Sequence, residues 1–149
     1  MKKLFCLFTL LTCFLNAHAQ GTLEFRVNLD GAGMTPPTSS IAIGYGTFYL
    51  EPNNRFHGLL GIQNPALPAA VQLNSIGQNG SLSPVLLTLT PGGEEAPDGS
   101  IGFPGAQSFD GTINLTSEQR ADLLAGRMYF TATTAAFPEG ELRGQLLLV

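Results

Sequence analysis

Short segments in which apolar and polar residues alternate run through this chain of 149 residues. The first, Leu23–Leu29, has an apolar residue at every odd position and a polar residue at every even one. A period of two is typical of a β-strand with one face in a core and one in water. Eighteen glycines and ten prolines supply turns between such segments. This pattern predicts an all-β domain, an antiparallel and Greek-key-like sandwich or barrel, with one short helix near the C-terminus.

Seven further strands are predicted by the same reasoning, at residues 41–50, 55–62, 71–76, 84–90, 109–115, 127–134 and 142–149. Gly44 and Gly46 fall inside the second strand, where interior glycines mark a bulge or a close backbone approach. Residues 91–107 are rich in proline, glycine and acids and lack periodicity, which predicts a long exposed loop with, at most, a short strand at 101–103.

The single predicted helix begins after Thr116, which can cap it, and Gln119 can complete a capping box. Leu123 and Leu124 are expected to form its apolar side. Gly126 is expected to stop the helix, because glycine readily adopts the left-handed conformation of a C-terminal cap.

Residues 1–19 predict a cleavable signal peptide, with Lys2 and Lys3 before an apolar stretch and a small-x-small cleavage site. Cleavage before Gln20 leaves a single β-domain at 20–149, secreted or periplasmic. The alternative is a lipoprotein signal acylated at Cys13, although the residues before Cys13 match that pattern poorly.

The predicted mature chain is acidic and contains no cysteine, since Cys6 and Cys13 both lie in the signal. It therefore has no disulfide, and about 130 residues must be stabilised by their core. The predicted mature chain contains five arginines, no lysine and eleven acidic residues, which gives it a net charge of −6. This balance excludes nucleic acid as a partner, and no apolar stretch after Gln20 is long enough to span a membrane.

The C-terminal segment 126–146 predicts a strand, a Pro/Gly turn and a second strand. Glu141 and Arg143 are two residues apart and so share one face of that last strand. We expect a structural role for Arg143, in an ion pair or a bidentate contact to a neighbouring strand, with ligand binding as the alternative. Gly144 is expected to leave room for a neighbouring backbone or a large ring.

This ending resembles that of the chordin-type (CHRD) domain, whose usual form is G-x-L-Y-V-N-V-H-T-x-x-F-P-x-G-E-I-R-G-Q-L. The opening from Leu29 to Leu50 resembles the same family. The matching positions that we expect to form the structural motif are Pro36, Pro37, Gly126, Tyr129, Phe137, Pro138, Gly140, Glu141, Arg143 and Gly144. The resemblance implies a secreted β-domain, and in animal chordin-like proteins such domains belong to extracellular antagonists of growth-factor ligands.

The chain departs from the family pattern at its histidines. A central H-I-H corresponds here to Gln72 and Asn74, and a later histidine corresponds to Thr133. Amide and hydroxyl side chains are poor ligands for zinc or copper, so we expect no metal site. His57, the one histidine of the mature chain, is expected to be an ordinary strand residue.

No catalytic residue and no cofactor site are predicted, because the mature chain lacks a G-x-S-x-G motif and a cysteine nucleophile. Glu94, Glu95 and Asp98 are read as solvated acids rather than a weak calcium site. The favoured hypothesis is a non-enzymatic binding or structural module with an unknown extracellular protein or glycan as partner. The alternatives are a metal-binding or hydrolytic envelope enzyme, and a carbohydrate-binding domain that uses Tyr45, Tyr49, Tyr129 or phenylalanines.

Overall fold

The computed structural model describes residues 21–63, 68–76, 84–91 and 107–149. The predicted signal peptide and its cleavage site, most of the loop at 91–107 and its three acids lie outside the described residues. Ten strands and one helix occupy the described part: β1 (Leu23–Leu29), β2 (Ile43–Leu50), β3 (Arg55–Gln63), β4 (Ala70–Ser75), β5 (Leu87–Thr88), β6 (Thr90–Pro91), β7 (Gln107–Asn114), α1 (Ser117–Leu124), β8 (Met128–Thr133), β9 (Leu142–Gln145) and β10 (Leu147–Leu148).

The strands form two antiparallel sheets. The six-stranded sheet has the order β10-β1-β2-β3-β7-β6, and the four-stranded sheet has the order β5-β4-β8-β9. The alternation seen in the sequence matches the burial, because Phe25, Val27 and Leu29 are buried while Arg26 and Asn28 are exposed. The predicted all-β antiparallel sandwich with one short helix is confirmed.

Aromatic side chains fill the space between the sheets. Phe48 of β2 stacks on Phe56 of β3 with ring centroids 5.3 Å apart, and on Phe130 of β8 at 4.7 Å. The second contact joins the two sheets directly. Aromatic pairs add roughly 0.5–1.5 kcal/mol beyond their buried area. Gly46 lies beside this cluster, and a Cβ there would be 2.9 Å from the backbone oxygen of Leu59, so the close backbone approach, one of the two alternatives for this glycine, is present.

The predicted strand at 142–149 is divided between the two sheets, which corrects the sequence analysis. β9 pairs with β8 in the four-stranded sheet, and β10 pairs with β1 in the six-stranded sheet. Asp30 faces Arg143, and Phe25 faces Leu148, so the segment keeps one antiparallel register along β1 while it changes sheets. Buried Leu146 lies at the crossing point. The two sheets are thereby joined along one edge.

The predicted strand at 84–90 is divided in the same way. β5 pairs with β4 and β6 pairs with β7, with buried Leu89 between them. The Leu89 N–H donates to the carbonyl of Val71 at 2.9 Å, which keeps its backbone satisfied at the corner. Alternation alone cannot show a change of sheet, because the inward face remains apolar on both sides of it.

The helix has the predicted cap and a different apolar side. Thr116 accepts from the backbone of Gln119, whose side chain accepts from the Thr116 backbone, and Gly126 follows the C-cap with φ of 69°. Leu123 is buried as expected, but Leu124 is 44% exposed. Asp122 is buried in its place, because Ser75 and Arg127 donate to its carboxylate.

Among the described residues, no helix combines the length and the apolar character needed to cross a membrane.

Gly144→Ala should lower the free energy of unfolding by about 3 kcal/mol or more. A Cβ at this position would overlap the carbonyl of Asn28, a main-chain atom that cannot rotate away. Gly21→Ala is the matched control, because its Cβ would have no neighbour within 4 Å. Chemical denaturation of both variants measures the difference, and equal stability would show that the strand crossing tolerates a side chain.

Thr116→Ala should cost about 1 kcal/mol of stability, because the Gln119 N–H loses its acceptor. Ser117→Ala is the control, since Ser117 is the next residue and is exposed. The denaturation midpoint of Thr116→Ala should be lower than that of Ser117→Ala. Equal midpoints would mean that the N-terminal cap of α1 contributes little to the stability of the fold.

Candidate functional site

The C-terminal motif is anchored where the two sheets meet. Arg143 N–H donates to the Asp30 carbonyl at 3.0 Å, and Asp30 N–H donates to the Arg143 carbonyl at 3.3 Å. Gly144 allows the Asn28 carbonyl to approach, so the neighbouring backbone that the sequence predicted at this glycine is present. We call Asp30, Arg143 and Gly144 the sheet junction.

A tight turn leads into the junction. Phe137 N–H donates to the Thr134 carbonyl at 3.2 Å, and Gly140 N–H donates to the Phe137 carbonyl at 3.1 Å. Gly140 has φ of 133°, which L-residues rarely adopt, so the turn requires glycine there. Pro138 lies exposed within the turn. These motif residues fix the direction in which Glu141 and Arg143 enter the last strand.

Glu141 joins the turn to the connection that follows β1. It is 5% exposed and accepts from Ser40 Oγ at 2.5 Å, while its carbonyl accepts from Thr38 Oγ1 at 2.7 Å. Pro36 and Pro37 lie exposed just before these donors, and the Thr35–Pro36 bond is cis. The opening and closing motifs are therefore in direct contact.

Arg143 contacts an aromatic ring. Its guanidinium carbon lies 3.8 Å from the centroid of Tyr129, which is 6% exposed. The Glu141 carboxylate accepts from Ser40 Oγ, and the expected role of Arg143 in an ion pair or a bidentate contact to a neighbouring strand stays a prediction. Tyr129 on β8 faces Gln145 on β9, and Arg143 faces Thr131, so the tyrosine ring lies diagonally beside Arg143.

Gln145 connects the junction to the end of the helix. Its Nε2 donates to the Met128 carbonyl at 2.7 Å and to the Gly126 carbonyl. Gly126 thus both ends α1 and presents a carbonyl to β9. The motif residues Gly126, Tyr129, Arg143 and Gln145 form one connected group.

A polar depression of about 440 Å³ lies at the sheet junction. The residues that line it are Asn28, Asp30, Gly33, Thr35, Arg143, Gly144 and Gln145. We call it the junction depression. Asp30, Asn28 and Thr35 were not singled out by the sequence analysis. In the sequence, Asp30 could be noticed only because it lies in the segment from Leu29 to Leu50 that resembles the CHRD family.

The charged groups of the junction depression each have a partner within the protein. Asp30 Oδ1 accepts from the Gly33 N–H at 2.7 Å, and the Arg143 guanidinium lies against Tyr129. Asp30 and Arg143 are directly opposed on adjacent backbones, so their side chains leave on the same side. Opposite charges therefore flank the depression from fixed backbone positions.

The positions that match the family histidines lie on the outer face of the four-stranded sheet. Gln72 faces Thr131, Asn74 faces Tyr129, and Thr133 follows Thr131 by two residues on β8. Asn74 Nδ2 donates to Thr131 Oγ1 at 3.0 Å. In the described part of the chain, no group of three or more histidine, cysteine or acidic side chains could hold a metal ion.

His57 lies on the outer face of the other sheet. Its Nε2 is 3.1 Å from Glu51 Oε1, and its ring contacts Tyr49 with centroids 5.9 Å apart. Desolvation raises the pKa of Glu51, but the hydrogen bond and charge of Arg55 together with the charge of His57 outweigh it, and the pKa is lowered from its ordinary value of 4.5. These contacts are consistent with the expected structural role for His57.

The aromatic candidates for sugar stacking differ in exposure. Tyr49 is 38% exposed, Tyr45 is half-buried four residues earlier on the same face of β2, and Tyr129 is covered by Arg143. Among the described phenylalanines, only Phe137 is not buried. A stacking surface would therefore have to use Tyr45 and Tyr49, away from the sheet junction.

The CHRD domain family model matches residues 25–146, which is most of the chain. The chain belongs to the CHRD domain family. CHRD domains are typically extracellular, so this one is a small domain of extracellular type. Searches of curated proteins and of solved structures gave no match. The family match therefore agrees with the resemblance stated from the motifs.

Arg143→Ala should lower the free energy of unfolding by about 1 kcal/mol, within the roughly 0.5–2 kcal/mol expected of a cation–π contact. The partner is a ring, so no buried carboxylate is left without its base. The chain has no tryptophan, so tyrosine fluorescence can report the uncovering of Tyr129. Arg26→Ala is the control, because the Arg26 side chain is 52% exposed. If both the stability and the fluorescence of Arg143→Ala are unchanged, Arg143 does not contribute to the stability of the fold.

Zinc and copper should bind the mature protein with no stoichiometric site at micromolar affinity, because Gln72, Asn74 and Thr133 are poor ligands. Calorimetry measures this directly. The matched positive control is the triple variant Gln72→His, Asn74→His, Thr133→His, which restores the family pattern on one sheet face and should gain zinc affinity. A tight one-to-one isotherm for the unaltered protein would contradict the prediction.

Proposed function

We propose that this CHRD domain is a secreted or periplasmic, non-enzymatic binding module whose binding site is the junction depression. The observation that carries the proposal is the arrangement of Asp30 and Arg143. Both are held by paired backbone hydrogen bonds at the sheet junction, and both line a polar depression of about 440 Å³. Small-molecule sites occupy about 300–1,000 Å³ and use a few polar groups in fixed positions.

The chemistry of the lining favours binding over catalysis. The Arg143 guanidinium only donates hydrogen bonds, and the amides of Asn28 and Gln145 have no ionisable proton in the physiological range, so these groups are suited to holding a ligand rather than to acid–base catalysis. Gln145 also donates to the Met128 carbonyl, which commits it to the scaffold. A hydrolytic function would rest on Asp30 and Thr35, and no histidine, cysteine, lysine or second carboxylate is among the residues that line the depression.

Export is part of the proposal, and we predict that the exported chain begins at Gln20 and carries no lipid. Intact mass of the protein recovered from the periplasm or the medium gives the N-terminus directly. If the recovered protein carries a diacylglyceryl group on Cys13, it is a lipoprotein and the proposed cleavage before Gln20 is wrong.

Binding is tested by immobilising the mature protein and exposing it to the soluble proteins and polysaccharides of its own compartment. The Asp30→Asn variant should retain about one tenth, or less, of the protein or polysaccharide that the unaltered protein retains. It changes one charge while its amide oxygen can still accept from Gly33 N–H. Thr112→Ala is the control, because Thr112 is exposed on β7, outside the depression.

Equal retention by Asp30→Asn and the unaltered protein would contradict the proposed site. Release of chemically altered material during the incubation would contradict the non-enzymatic assignment and favour an envelope enzyme.

A further inference from the structure

The junction depression offers hydrogen-bonding groups of every type. Asp30 is a carboxylate that only accepts, Arg143 is a guanidinium that only donates, and the Asn28 amide does both. The Asp30 carboxylate has two oxygens with several acceptor sites, of which Gly33 N–H uses one. A ligand that satisfies such a lining must donate and accept at closely spaced points.

The charges of the site favour a ligand without net charge. One carboxylate and one guanidinium give the depression no net charge of its own, while the predicted mature chain carries −6. An anionic ligand would meet Arg143 favourably but be repelled by Asp30 and by the rest of the protein. A cationic ligand would be attracted by Asp30 and by the rest of the protein but repelled by Arg143 inside the site, so neither sign of ligand charge suits both groups.

The surface beyond Arg143 is also polar and uncharged. Arg143 faces Thr131 on β8, and Thr131 faces Gln72 on β4, so hydroxyl and amide groups continue outward from the last strand. Asn74 and Thr133 lie on the same face. Among these described neighbours, no charged side chain follows Arg143 across the sheet.

Arg143 is oriented before any ligand arrives. Its backbone is hydrogen-bonded to Asp30, and its guanidinium carbon lies 3.8 Å from the centroid of the Tyr129 ring. A fixed donor fork loses little side-chain freedom on binding, which leaves more of the hydrogen-bond energy as affinity.

From these features we infer that the junction depression binds a neutral sugar residue, through hydrogen bonds from its hydroxyl groups to Asp30, Arg143 and Asn28. Sugar hydroxyls donate and accept at adjacent carbons and carry no charge. This inference rests on the proposed binding function and names its ligand class. It differs from an aromatic stacking site, because the ring at this position, Tyr129, is covered by Arg143.

The test uses saturation-transfer NMR and calorimetry on the mature protein with defined hexasaccharides. The neutral ligands are cellohexaose, xylohexaose, mannohexaose and maltohexaose, and hexagalacturonic acid is the acidic comparison. We expect at least one neutral hexasaccharide to bind. Asp30→Asn and Asn28→Ala should each weaken that binding about tenfold or more, with thermal unfolding showing that both variants are folded.

Two controls locate the site. Thr112→Ala should bind as the unaltered protein does, because its side chain is outside the depression. Tyr49→Ala removes the exposed ring on the opposite sheet and should also leave affinity unchanged. Loss of binding in Tyr49→Ala, with retention in Asp30→Asn, would overturn the inference in favour of a stacking surface.

The remaining outcomes separate the ligand class from the binding function. If hexagalacturonic acid binds and the neutral sugars do not, the inference of a neutral ligand is wrong. If no hexasaccharide binds but Asp30-dependent retention of native material is observed, the sugar inference fails and the binding module stands. If neither is observed, both fail.

Discussion

The passage of the last strand across β1 is the constraint on which the rest of this structure depends. Arg143 pairs with Asp30 through two backbone hydrogen bonds, and Gly144 lets the Asn28 carbonyl come closer than any side chain would permit. Because β9 belongs to one sheet and β10 to the other, this one segment joins both halves of the sandwich. The described residues contain no cysteine, so no disulfide among them supplements that connection.

Several motif residues make sense as parts of this connection. Gly140 sets the turn before it, the Glu141 carboxylate accepts from Ser40, and Gln145 ties it to the carbonyl of Met128. The side chains that remain at the surface, Asp30 and Arg143, are positioned by the same hydrogen bonds. The same contacts therefore determine both the stability of the fold and the geometry of the site. The family motif at the sheet junction serves the scaffold and the proposed binding site together.

The sequence predicted the elements better than their connections. The alternation in Leu23–Leu29 and the Thr116–Gln119 capping box are local patterns, and both were confirmed. The changes of sheet at Leu89 and Leu146 were not predicted, because each is buried and the apolar face continues through it. The same limit applied to the site, since neither the opposition of Asp30 and Arg143 nor the contact of Arg143 with Tyr129 can be read without the strand register.

The coupling of site and scaffold has a thermodynamic consequence. A ligand that bridges Asp30 and Arg143 would hold together the two strands whose pairing joins the sheets, and it would do so only in the folded state. Such binding adds RT ln(1 + [L]/Kd) to the free energy of unfolding, about 2.7 kcal/mol at one hundred times Kd. For a domain of this size that gain raises the thermal midpoint by several degrees. At the same ligand concentration, a tenfold weaker site in Asp30→Asn should leave about 1.4 kcal/mol or less of this stabilisation, whereas a ligand bound at Tyr49 on the other sheet would stabilise both proteins equally.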